Sequence, residues 1–310
     1  MSDKATRAAY GEALIEFGSN HDIVVMDCDL AKSTMTCKFR EKYPERFINV
    51  GIAEANMMSA AAGLATCGKT VFASTFAMFA AGRGYEQIRN SICYPNLNVK
   101  VCATHAGLTV GEDGASHQML EDLAIMRVIP NMTVVCPADA IETRQAIKTA
   151  IETAGPFYIR LGRLPVPMVN NENYKFELGK GVVLREGSDL TIVATGLMVS
   201  KALETAELLA IENIQARVVN IHTIKPIDED IIAKSANETG LIVTLEEHNV
   251  VGGLGSAVAE VVAQNCPARL KIIGVEDSFG RSGTPAALLE AYGLTSKNIK
   301  LKIMKEIDKE

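Results

Sequence analysis

Runs rich in Val and Ile alternate with Ala-, Leu- and Glu-rich stretches of helical period along almost all of this 310-residue chain, and few architectures accept that order. It suits parallel sheets, because neighbouring parallel strands need a crossover, usually a helix, to bring the chain back. In the first half the spacing predicts strands at 22–27, 47–51, 70–75, 99–104, 132–137 and 157–161, with helices near 3–18, 54–66, 77–92, 118–127 and 139–153. The polar stretch PVPMVNNENYKFELGKG, with two Pro and three Asn, breaks the pattern and reads as a linker. The alternation resumes with strands at 189–196, 216–222, 240–248 and 270–275, separated by helices near 199–212, 228–237, 254–265 and 284–293. The expected fold is α/β in two domains, each a mostly parallel sheet with helices on both faces: residues 1–165, a linker at 166–181, and residues 182–310.

Composition narrows the function. With 48% hydrophobic residues the chain has ample material for a core, and 31 Lys plus Arg against 37 Asp plus Glu leave a net charge of −6. That balance argues against nucleic acid as the main partner, although a local basic pocket for one phosphate would not show in it. No apolar run reaches the ~18 residues of a membrane span. The start MSDKATRAAY has no apolar stretch to act as a secretion signal, so no membrane partner and a cytoplasmic location are expected. Seven Cys (28, 37, 67, 93, 102, 136 and 266) include no C-x-x-C pair and read as reduced thiols rather than disulfides or a metal site. Neither phosphate fingerprint, G-x-G-x-x-G or G-x-x-x-x-G-K-[ST], occurs. GGLGSAV at 252–258 enters a helix and could either cradle an anion or serve close packing of the turn.

The residues that can carry chemistry gather after the first-half strands, where open parallel sheets hold ligands. Glu54 opens a helix whose following residues are small or apolar. It can complement the helix dipole, or it can be a buried carboxyl that shares a proton with a ligand nitrogen. Phe76 and Phe79 share a helical face, and with Phe72 and Tyr85 they could form a wall for a flat ring. The long loop in ATHAGLTVGEDGASHQMLEDLAIMR can bring His105, Asp113 and His117 together, with imidazoles to exchange protons and a carboxylate to bond a hydroxyl. No third clustered nitrogen or sulfur ligand accompanies them, so zinc is not expected. Arg7, Arg160 and Arg163 stand at element ends, where guanidinium groups can fork onto phosphate oxygens.

Taken together, GIAEANMMSAAAGLA, STFAMF, THAGLTVGEDGASHQMLEDLAIMRVIPNM and GPFYIRLGR resemble, in order and spacing, the pyrimidine-binding domain of transketolases. The second half is similar to their C-terminal domain. The resemblance implies that Glu54 meets the aminopyrimidine nitrogen of thiamine diphosphate, with Phe76 and Phe79 packing on that ring. It implies that Asp113 and His117 meet sugar hydroxyls, and that Ser33, Arg7, His105 and Arg163 hold the distal phosphate. His105 and His117 become candidate proton carriers or hydroxyl anchors. Where the family often has a third aromatic, this chain has Gly82, so the pocket is looser or is completed by Tyr85.

An absence matters as much. The family's Gly-Asp-Gly motif, which holds the metal and the diphosphate, does not occur in this sequence. A diphosphate needs a hard cation in an oxygen cage. The resemblance therefore implies the C-terminal subunit of a split transketolase of carbohydrate metabolism, as in the pentose phosphate pathway. An N-terminal subunit would supply the diphosphate-binding domain with Mg2+ or Ca2+, most simply in an α2β2 heterotetramer, and the substrates would be sugar phosphates. A split transketolase for a branched or sulfonated sugar, the β-type subunit of a 2-oxo acid dehydrogenase, and a non-catalytic regulatory subunit are the alternatives.

Overall fold

The computed structural model describes residues 3–19 and 22–308. In chain order the strands are β1 (Lys4–Ala5), β2 (Ile23–Asp27), β3 (Phe47–Asn49), β4 (Thr70–Phe76), β5 (Val99–Thr104), β6 (Thr133–Val135), β7 (Phe157–Arg160), β8 (Pro165–Val166), β9 (Val182–Arg185), β10 (Leu190–Ala194), β11 (Ala216–Asn220), β12 (Thr223–Lys225), β13 (Leu241–Asn249) and β14 (Arg269–Val275). The helices are α1 (Thr6–Gly18), α2 (Ala31–Thr34), α3 (Cys37–Lys42), α4 (Glu54–Thr66), α5 (Ala77–Arg83), α6 (Tyr85–Gln87), α7 (Asp122–Arg127), α8 (Ala140–Glu152), α9 (Met198–Ala210), α10 (Glu229–Thr239), α11 (Leu254–Asn265), α12 (Pro285–Ala291) and α13 (Ser296–Ile307).

The first half builds a sheet in the order β12-β6-β7-β5-β4-β2-β3, parallel except for β12 at its edge, and the second builds β14-β13-β10-β11-β9, parallel except for the edge strand β9. The fold is α/β, as expected. Both faces of each sheet are covered, so β2, β5 and β10 are buried along their whole length; that is why they read as mainly apolar runs without polar alternation, Lys100 in β5 being buried with the rest. Tyr10, Leu14, Phe72, Ile147 and Phe157 pack one face of the first sheet against α1 and α8. The core on its other face, around Met57, Ala61, Ile88 and Val101, continues into Val193, Val219, Ile242, Leu254 and Val258 of the second half.

Several boundaries differ from the sequence reading. The helix expected at 77–92 stops at Arg83, turns at Gly84 and resumes as α6, followed by a π-helical turn at Ile88–Cys93. The helix expected at 118–127 is only α7, because Gln118 and Met119 are held as loop: Met119 bridges Ala106, and Gly107 donates to its carbonyl at 3.0 Å. Strands β1, β8, β9 and β12, of two to four residues, and the helices α2, α3 and α13 were not anticipated. Strand β12 comes from the second half yet joins the first sheet.

The segment at 166–181 is tied down. Asp139, which caps α8, accepts N–H bonds from Val169 (2.9 Å) and Asn170 (2.8 Å), and Tyr174 donates to Glu142 at 2.5 Å. Asn220 donates to the same Glu142 carboxyl at 2.8 Å, and burial pushes that carboxyl up to about 7. The glycine-rich turn before α11 has its anion built in. The N–H groups of Leu254 and Gly255 donate to Glu246 at 2.7 and 2.8 Å, and a Cβ on Gly253 would overlap that carboxylate. The close-packing account of GGLGSAV therefore holds, and the external-anion account does not. All seven cysteines are free; Cys37 is half-buried and Cys67 exposed, while burial pushes the Cys28, Cys93 and Cys102 thiols up to about 12 and leaves them unreactive. Among the described residues no helix is long and apolar enough to cross a membrane.

His222 is fully buried between the halves, its ring 4.2 Å from that of Phe176, and burial pushes its pKa down to about 4. The unfolded chain would protonate it near 6.5, so its contribution is present above pH 6.5 and is lost as the pH falls through about 4. That amounts to about 3 kcal/mol. We expect denaturant titrations to show stability falling between pH 6.5 and 4, with a shallower fall in His222→Asn.

Candidate active site

The site forms at the C-terminal ends of β2, β4 and β5. Helix α4 begins at Glu54, which puts the carboxyl in the first turn, where the helix dipole favours negative charge. The side chain is 3% exposed, accepts from Thr75 Oγ1 at 3.3 Å and lies 3.6 Å from an Arg83 guanidinium nitrogen. Phe76 ends β4 and caps α5, so Phe79 follows one turn later, with the two rings stacked at 5.8 Å.

Beyond β5 the chain turns sharply. His105 adopts φ +57°, a left-handed conformation uncommon for a side chain of this size, followed by Gly107 at +83° and Gly111 at +86°. The turn lays the His105 ring on Phe76 at 3.8 Å, and the loop returns to set His117 edge-on to Phe79 at 5.4 Å. A cleft of about 430 Å³ opens between these groups, lined by Cys28, Leu30, Ile52, Glu54, Phe79, Arg83 and His117. Ile52, 78% exposed, stands at its rim.

The hydrogen bonds of His105 define its tautomer. Arg7 can only donate, and its Nη1 approaches His105 Nε2 at 3.4 Å, so Nε2 accepts and the proton sits on Nδ1, which donates to Thr104 Oγ1 at 2.9 Å. Burial, then the charges of Arg7 and Arg163, push His105 down to about 3. Its imidazole is therefore held neutral near neutral pH. Arg7 also donates to the Ser33 carbonyl at 2.7 Å, and burial together with Arg163 lowers its pKa. Arg163 donates to the Val110 carbonyl at 2.5 Å and lies 3.6 Å from Asp113.

Glu54, Phe79 and His117 thus line one cleft, Phe76 stacks on Phe79 and His105 on Phe76, and Arg7, Ser33, Asp113 and Arg163 are grouped beside His105. Other sequence candidates fall elsewhere. Arg160 is buried, donating to Asp122 at 2.8 Å and to the Glu247 carbonyl at 3.0 Å, so it is no anion site. Phe72 packs near Tyr10 at 6.3 Å on the opposite face of the sheet, and Tyr85 packs on the core rather than lining the cleft. A side chain at Gly82 would meet only Met78 Cε, at 3.6 Å, while the guanidinium of the next residue, Arg83, lies 4.6 Å from the Phe79 ring centre. The sequence reading missed Arg83 and the thiol of Cys28; Arg83 sits between two glycines, a context with no periodic signal.

Comparison with known proteins identifies the family. Residues 2–168 match the family described as transketolase, pyrimidine binding domain, and residues 179–299 match transketolase, C-terminal domain. The chain is 45% identical to a 6-deoxy-6-sulfo-D-fructose transketolase subunit of a Clostridium species, over 94% of this chain and 91% of the relative. It is 38% identical to an apulose-4-phosphate transketolase subunit of Phocaeicola vulgatus, over 95% of both. A solved split-gene transketolase, an inactive β4 tetramer, superposes with a TM-score of 0.90 at 55% identity, covering 98% of both chains. The chain belongs to the transketolase family, transferase-type enzymes that generally use thiamine diphosphate, and within it to the split subunits.

The depressed pKa of His105 has a direct readout. Its imidazole resonances are expected not to shift between pH 5 and 8, as followed by nuclear magnetic resonance; a midpoint inside that range would contradict the buried, doubly bonded geometry.

Proposed function

We propose that this chain is the C-terminal subunit of a two-chain transketolase, moving a two-carbon ketol unit from a ketose phosphate to an aldose phosphate. The observation that carries the reading is one run of contacts: the buried Glu54 carboxyl and the Phe79 ring line the cleft, Phe76 stacks on Phe79 and His105 on Phe76, and the Arg7 and Arg163 guanidinium groups act on His105. The Glu54 carboxyl and the Phe79 face fit the edge and plane of an aminopyrimidine. Nothing comparable fits its diphosphate, because among the described residues no group of three or more His, Cys, Asp or Glu is placed to hold a metal ion. A separate N-terminal subunit would hold that end with Mg2+ or Ca2+, in an α2β2 assembly in the cytoplasm.

When bound, thiamine diphosphate supplies the nucleophilic carbon that takes up the two-carbon unit. The chain's own residues orient and anchor. Glu54 would bond the pyrimidine ring nitrogen through a proton shared at Oε1 or Oε2. For the ring to reach it Arg83 must yield its place, and with a side chain 58% exposed the arginine returns to water at small cost. Asp113 and His117 would bond sugar hydroxyls. Arg7 and Arg163, helped by Ser33 and His105, would grip the terminal anion, far from the reacting bond, so that this binding serves positioning. With its Nδ1 proton engaged by Thr104, His105 acts there as a bonding partner and not as an acid.

Guanidinium pairs accept phosphate and sulfonate alike. The relatives named for a sulfonated and a branched sugar favour testing specialised substrates beside the common ones. The decisive experiment measures ketol transfer with thiamine diphosphate and magnesium, with and without the N-terminal subunit, across phosphorylated, sulfonated and branched ketoses. Turnover by the purified chain alone would refute the two-chain reading.

Glu54→Gln in the assembled pair is expected to lower kcat by at least about a hundredfold with circular dichroism unchanged. Wild-type turnover would remove Glu54 from the mechanism. Arg163→Ala should raise KM for phosphorylated ketoses about tenfold or more while sparing unphosphorylated hydroxypyruvate; an equal loss on both donors would show that Arg163 does not bind the terminal anion.

A further inference from the structure

The loop that carries Asp113 and His117 rests on the second half of the chain. Gln118, 3% exposed, turns inward, and its Nε2 lies 3.1 Å from the Leu108 carbonyl, 3.2 Å from that of Gly111 and 2.9 Å from that of Arg281. An amide nitrogen has two hydrogens, so the three acceptors share them. Two of these bonds close the loop on itself. The third crosses to the segment between β14 and α12. The backbone on either side of the side chain is pinned as well, since the N–H groups of His117 and Gln118 both donate to Gly114, at 3.0 and 3.2 Å.

The contact between loop and segment is set by glycines on both sides. A Cβ on Gly280 would overlap Gln118 Oε1, one on Gly114 would come within 2.5 Å of Ser282 Oγ, and one on Gly111 within 3.3 Å of Pro285 Cδ. The two segments are therefore as close as backbone permits, and the Gln118 amide is the polar bond that registers them. Gln118 stands next to His117, whose ring edge faces Phe79. Glu54, Phe76 and Phe79 are held on other elements, α4, β4 and α5.

We propose that Gln118 is a positioning residue for the substrate end of the cleft: by bonding the Arg281 carbonyl it sets the loop of Asp113 and His117 against the second half of the chain. The role rests on the reading that this loop meets the sugar. It also makes the Arg281 carbonyl and the backbone of Gly280 the backing of that loop, although neither residue lines the cleft.

The test uses the assembled two-chain enzyme with Gln118→Met, which keeps the length and removes the donors. KM for the ketose is expected to rise about tenfold, the loss of a buried hydrogen-bond tie, with kcat reduced less. Calorimetric affinity for thiamine diphosphate should stay within about twofold, and amide exchange at 111–118 should quicken about tenfold. Gly280→Ala should reproduce these changes, and added to Gln118→Ala it should add almost nothing, because the atom it meets is gone. Arg281→Ala, which keeps the carbonyl, should behave as wild type. Should Gln118→Met fail to fold, Gln118→Asn, one methylene short, serves in its place.

Unchanged amide exchange in Gln118→Met would overturn the tie itself. Faster exchange with wild-type KM would overturn the reading that the loop meets the sugar, and the positioning role with it. A matching loss of cofactor affinity would mean a general structural role and would also overturn the proposal.

Discussion

The arrangement depends on one buried ion pair, Arg160 with Asp122. Arg160 ends β7 in the first sheet, Asp122 opens α7 after the long loop, and the same guanidinium reaches the Glu247 carbonyl in β13 of the second half, while Tyr158 donates to Asp122 at 2.9 Å. Burial alone would lower the Arg160 pKa; Asp122 first, then Cys136 and Glu247, outweigh it and keep the charge firmly in place. Replacing such a pair with apolar residues often costs a protein little, so its value here is directional. It joins three elements at one point, and the loop from His105 to Glu121 runs from β5 into one of them, α7. The Glu247 carboxylate adds a second hold on that loop, accepting the Thr109 N–H at 2.5 Å where a Cβ on Gly107 would collide with it.

That anchorage explains why the site can tolerate strain. A histidine in left-handed backbone, followed by glycines with positive φ, is a costly path that persists only where the surroundings over-determine it. Here the ring of Phe76, the hydroxyl of Thr104 and the guanidinium of Arg7 hold the imidazole from three sides. The result is a polar wall with little freedom to reorganise, the kind of environment in which orientation rather than induced movement does the positioning.

Much of the scaffold was legible in the pattern. α4 and α11 span 54–66 and 254–265 and β5 spans 99–104, all where the periodicity put them, because each is long and follows a single period. β1, β8 and β12 are too short to show a period and exist only through distant pairing. α7 starts late because hydrogen bonds from outside the segment outweigh helix propensity in residues 118–121. Within the site, the clustering of His105, Asp113 and His117 on one loop was visible. The fate of Arg160 was not, since an arginine at a strand end looks the same whether it faces solvent or a buried carboxylate. Arg83 was hidden for the opposite reason: its place depends on where Glu54 and Phe79 come together, which no local spacing encodes.

The shared edge between the halves bears on how such chains can be recombined. β12 completes the first sheet from beyond residue 181, and glycines on both sides leave no room for a methyl group between the loop and the segment at 280–285. A chimera cut in the polar stretch at 166–181 would exchange an edge strand and the backing of the loop together. Parents that differ at either surface would yield hybrids with a misregistered rim, however well their separate cores matched.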